Sequence, residues 1–141
     1  MNACLTPHML TLLLIIGGVL HLSITSAGIT SVFVLDWRRN LADLAPLTRH
    51  IIWTHGTFVL LTIIGFGAIS LTAAGSLASG EPLARAVCGF IAGFWALRLL
   101  VGFFAFDARP HLSNRLLAVC YRALNCVFVY FVIAYGAAAL I

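Results

Sequence analysis

The amino-acid sequence predicts an all-α integral membrane protein, an antiparallel bundle of four transmembrane helices. Three observations carry this expectation. Hydrophobic residues make up 62% of the 141 positions and charged residues only 9%, whereas a water-soluble domain carries roughly a quarter charged residues. Four stretches, Met9–Leu35, Arg49–Ala73, Leu83–Phe106 and Arg115–Leu140, each reach the length of about 20 apolar residues that a helix needs to cross the hydrocarbon. The strings between them, "DWRRN", "AAGSLASGEP" and "DARPHLSN", are polar and short, and short connections impose an up-down arrangement. The mean hydropathy of +1.10 agrees with a lipid environment. The length suits one domain spanning residues 1–141.

The first stretch has the apolar core of a secretory leader, with "TSAG" as the cleavage site. Two features favour a spanning helix instead: no Lys or Arg precedes the run, and apolar character continues through "ITSVFVL". In the second stretch Pro46 suits the first helical turn, because its missing N–H falls among donors that have no helical partner anyway. Pro82 plays the same part for the third. That helix also carries Gly89 and Gly93 in "GFIAG", a GxxxG spacing that permits close helix approach. Ser113 or Asn114 can cap the fourth.

All eight basic residues are arginine, against the acids Asp36, Asp43, Glu81 and Asp107. The formal charge of +4 does not mark a nucleic-acid binder, because the arginines are scattered through apolar segments and form no stripe. They set orientation instead. Arg38, Arg39 and Arg49 flank the first connection, and Arg109 and Arg115 the third, against Arg85 alone at the second. The positive-inside rule then places the first and third connections in the cytoplasm of a bacterial inner membrane, with both termini outside. Trp37 and Trp53 suit an inner aromatic belt. The cysteines 4, 88, 120 and 126 show no metal spacing; Cys88, Cys120 and Cys126 sit in apolar runs. A Cys4–Cys88 bridge is allowed on the outer side, with nothing in the spacing to require it.

The polar residues inside the spans are the candidate functional residues. His50 and His55 stand about 140° apart on a helix and cannot clasp one ion together. Arg49 and His50 fall at headgroup level, whereas His55 lies about 9 Å further in. Arg98 lies about 13 Å inside the boundary at Asp107, and Arg122 about 10 Å inside the one at Arg115. Tyr121 and Asn125 share that depth, as do Thr30 and Ser31. A cationic layer of His55, Arg98 and Arg122 is therefore expected in the inner third of the bundle, without an acid in it. An arginine at membrane depth costs about 2.5–3.5 kcal/mol on insertion scales. Arg122 can snorkel to the headgroups. Arg98 is deeper and calls for a partner: a lipid phosphate, a carbonyl or anionic ligand, a haem propionate, or an acid on another subunit. His21 is deeper still, about 22 Å from the Asp36 end. Gly17, one turn before it, leaves room for a tetrapyrrole ring, and Thr25, one turn after, offers an acceptor for the imidazole. His21 and His55 differ in depth by about 13 Å, too much for both to ligate one iron. Tyr130 and Tyr135 are expected to pack or face lipid, with Tyr135 in an outer belt.

These residues lead to a non-enzymatic accessory or anchoring subunit that meets membrane lipid, other membrane subunits or a second copy of itself through Arg98, His55, Arg122, Tyr121 and Asn125. The alternative expectation is a redox or pigment module holding haem, another tetrapyrrole or a quinone at His21 or His55. A third is a carrier or enzyme for an anionic amphiphile, with His55 as acid/base and Arg98 as anion clamp. Neither GxSxG nor HExxH occurs in the sequence.

Overall fold

The computed structural model describes residues 6–104 and 115–141. Among them it is all helical, with four helices long and apolar enough to cross a membrane. The expected helix end at Phe106, the caps Ser113 and Asn114, Cys4, and the loop residues Asp107 and Arg109 lie outside the described residues.

Helix α1 runs from Pro7 to Val34. It begins earlier than the apolar run suggests because Thr6 caps it, its Oγ1 accepting from the Met9 N–H at 3.4 Å, with Pro7 at the first turn. Asp36 stops it by adopting the left-handed conformation, φ 44, which aspartate tolerates better than most residues. The Asn40 amide then donates to the free Leu35 carbonyl at 2.7 Å, covering one of the acceptors that a helix end leaves open. Asn40 belongs to a one-turn helix α2, Trp37–Asn40. Helix α3 spans Pro46–Thr72 and α5 spans Pro82–Phe104. Each starts on its proline, a few residues before the first charge or apolar residue that marked it in the sequence. A single turn α4, Ala74–Leu77, links them, and α6 covers Arg115–Leu140.

Helix α1 is the centre of the assembly, packed on α3 along one side and on α6 along another, and α6 packs on α5. Glycines bring α1 and α3 together. A Cβ at Gly67 would stand 3.1 Å from the His21 Cβ and 3.4 Å from the Gly18 carbonyl, and a Cβ at Gly18 would meet Leu71 at 2.7 Å. Without an aqueous driving force inside the bilayer, such close backbone approach is what holds helices together. The GxxxG of α5 does not act this way: Gly93 borders open space and Gly89 only grazes Ala139. Between α3 and α5 the link is aromatic, with Phe66 edge-on to Phe90 and Phe94.

Where α5 begins and α6 ends, the Arg85 Nε donates to the Ala139 carbonyl at 3.0 Å. A cation on the last carbonyls of a helix is favourably placed against its dipole. Cys88 is a free thiol, wholly buried, its Sγ 3.9 Å from the Leu77 carbonyl.

Of the three tyrosines of α6, Tyr130 and Tyr135 pack inside the protein, and only the outer-belt expectation for Tyr135 fails. Tyr135 is fully buried rather than in an outer belt, and its hydroxyl pairs with the Ser70 hydroxyl of α3 at 2.6 Å. Tyr130 donates to the Leu13 carbonyl of α1 at 2.8 Å. A phenol that finds a polar partner inside the protein is better placed there than in hydrocarbon. Gly17 makes room for this: a Cβ there would sit 2.7 Å from the Tyr135 hydroxyl. Gly17→Ala is therefore expected to destabilise the protein by about 1–3 kcal/mol through overpacking. Gly65→Ala, where the added methyl meets nothing within 4 Å, should be neutral or mildly stabilising, since alanine is the better helix former. Denaturation in mixed detergent micelles checks both.

Candidate functional site

Two groups of polar residues lie inside the spans, and they differ in kind. The first surrounds His21. Its Nδ1 is 2.7 Å from the Gly17 carbonyl and its Nε2 receives the Trp95 indole N–H at 3.0 Å. A carbonyl only accepts and an indole only donates. The ring is thereby fixed as the neutral tautomer with its proton on Nδ1. The rings of Phe131 and Phe66 pack against it, stacked at 4.0 Å and edge-on at 5.9 Å. Thr25, expected as an acceptor for the imidazole, instead donates to the His21 carbonyl at 2.9 Å. The space beside Gly17 that could have held a tetrapyrrole is filled by Tyr135. Both nitrogens of His21 are engaged, so it offers no lone pair to an iron in this arrangement, and its part is to join α1 to α5. Among the described residues, no group of three or more His, Cys, Asp or Glu could hold a metal ion.

The second group lines a cleft of about 560 Å³ between α1, α3 and α5. His55 and Gly56 of α3 and Arg98 of α5 face it, together with Gly28 and Ser31 of α1 and the indoles of Trp37 and Trp53, whose rings lie 6.2 Å apart. The volume falls within the range typical of small-molecule sites, about 300–1,000 Å³. Apolar walls come from Ile24, Ile29, Leu60 and Ile63 among others. Beside the cleft, α3 and α5 meet through Phe66, edge-on to Phe90 and Phe94.

Arg98 is exposed at this cleft. Its guanidinium carbon stands 5.6 Å from the centre of the Phe128 ring, and one terminal nitrogen lies over Gly102, one turn further along α5. The acids among the described residues, Asp36, Asp43 and Glu81, all stand in connections between helices. A cation–π contact is worth about 0.5–1 kcal/mol when exposed and about 2 when desolvated. The insertion cost of an arginine at membrane depth, about 2.5–3.5 kcal/mol, is larger. The aromatic face therefore offsets part of the cost.

The structure thus brings His55 and Arg98 together. Arg122, Tyr121 and Asn125 do not line the cleft: Arg122 is exposed on α6, and the Asn125 amide donates to the Tyr121 carbonyl of its own helix at 3.0 Å. The Ser31 and Thr30 hydroxyls at that depth are both bonded back to their own helix, Ser31 to the Gly28 carbonyl at 2.7 Å and Thr30 to the Ser26 carbonyl at 2.8 Å, and Ser31 lines the cleft. His50 is exposed near the start of α3. The tryptophans were legible in the sequence as interfacial residues, and their pairing between α2 and α3 was not. Compared with known protein families, curated proteins and solved structures, the chain matches none, so its function is argued from this cleft.

Proposed function

We propose that the protein is a small non-enzymatic membrane protein, of the accessory or anchoring kind, that retains an anionic lipid in the cleft between α1, α3 and α5. The carrying observation is that Arg98 and His55 line one apolar cleft on which, among the described residues, no carboxylate stands. An anion with apolar tails matches both features, since charge-assisted hydrogen bonds are strong where water is scarce. In the proposed orientation, set by the arginines of the first and third connections, the cleft opens to the cytoplasmic leaflet of a bacterial inner membrane. Trp37 and Trp53 then stand at headgroup level, where amphipathic rings are favoured.

Native mass spectrometry of the protein released from a mild detergent tests this reading. One anionic phospholipid per chain is the expected adduct, on a protein without visible absorption. A lipid-free mass under the gentlest activation, or a Soret band from stoichiometric haem, overturns it.

A further inference from the structure

The cleft has a neighbour. A second hollow of about 470 Å³ lies between α3 and α5, lined by Thr54, Phe58 and Thr62 of α3 and by Phe94 of α5. His55 and Val59 border both hollows. These two residues are one turn apart and form a shared rim, with the first hollow on the α1 side of α3 and the second on the Phe94 side. The volumes are similar, and both lie in the range of occupied ligand sites. The second hollow is lined by aromatic and aliphatic surface with threonine hydroxyls, and the Thr62 hydroxyl is already bonded to the Phe58 carbonyl at 2.9 Å.

From this we infer that the ligand is a two-chain anionic phospholipid seated astride the rim, its phosphate held by His55 and Arg98, one chain in each hollow. The inference rests on the anionic-lipid reading above and adds the number of chains. The geometry that supports it is the position of His55 at the junction of two apolar grooves, with Arg98 on the wall of the first, an arrangement that suits a single headgroup from which two chains diverge. A single-chain amphiphile would leave one groove without packed atoms and forfeit its dispersion contacts.

The test uses the whole protein in detergent, with phosphatidylglycerol and lyso-phosphatidylglycerol as competing probes read by native mass spectrometry. Wild-type protein should retain the two-chain lipid about tenfold better than its one-chain counterpart, a difference of about 1.4 kcal/mol. Gly56→Leu fills the first hollow, where the new side chain meets nothing within 4 Å of its Cβ. Thr54→Trp fills the second from an exposed position. Each should lower the ratio of two-chain to one-chain lipid retained from about tenfold to about twofold. Equal retention of both lipids by wild type, or indifference of the two-chain lipid to both substitutions, overturns the two-chain inference while the anionic-lipid reading stands. Failure of the wild type to retain either lipid defeats both. The wild-type competition decides the matter even where a variant does not fold.

Discussion

Arg98→Gln is expected to lower retention of an anionic lipid by roughly ten- to a hundredfold, because a hydrogen bond to a charged group is worth about 1.5–3 kcal/mol. The glutamine keeps a polar donor on a shorter stem, so the loss reports the charge, the forked geometry and the reach of the guanidinium together. Arg122→Gln is the control. It removes the same charge from a shallower side chain that does not line the cleft, and retention should change by no more than about twofold. The two variants are compared by native mass spectrometry at matched lipid-to-protein ratio. Equal losses would mean that the cationic layer acts as a diffuse field, and the cleft would lose its claim to be the site.

The largest effect on stability is expected at Trp95, in the other polar group. Its side chain is 2% exposed, stacked on Phe128 with centroids 4.7 Å apart and bonded to His21. Trp95→Ala should cost about 3–5 kcal/mol, the range for removing a large aromatic from a packed core. Trp95→Phe separates the terms. It keeps most of the ring and removes the donor, leaving Nε2 of His21 without a partner; a buried unsatisfied group costs about 1–3 kcal/mol in water-soluble proteins. Hydrogen bonds between membrane helices average nearer 0.6 kcal/mol, so the low end of that range is the expected value. Unfolding titrated with a denaturing detergent gives both numbers. If Trp95→Ala were as stable as wild type, α1 and α5 would not be joined through His21 at all.

The architecture was legible because membrane helices announce themselves by length. Counting apolar residues located four spans, and Pro46 and Pro82 marked two of the starts. Thr6 and Pro7 were equally plain as a capped helix start, and were hidden by attention to where the apolar run began. Depth was legible too: with 1.5 Å per residue, His55 and Arg98 fall at one level, and the structure puts them on one cleft. Rotation about the helix axis was not. A helix surrounded by lipid is apolar on every side, so its sequence carries little sign of which face meets protein. That is why Asn125, at the right depth, is spent on its own helix, and why Tyr135 looks like any interfacial tyrosine until Ser70 and Gly17 are seen around it. The partnership of His21 with Trp95, 74 positions apart, depends on which helices become neighbours, and no local pattern encodes that. Gly17 did signal a flat surface next to His21. What lies against that surface is the chain's own phenol.

The position of His21 has a consequence for biogenesis. The helix bearing it emerges from the ribosome first, whereas the indole that supplies its Nε2 and the ring stacked on it belong to later segments. The glycine-lined contact with the next long helix can form early. Until Trp95 and Phe131 arrive, however, the nascent hairpin carries a half-satisfied imidazole deep in the bilayer, where polar groups are expensive. The third span brings the indole that completes the imidazole's hydrogen bonds and the fourth brings the ring that stacks on it, so a polypeptide cut short before Trp95 leaves Nε2 without its donor.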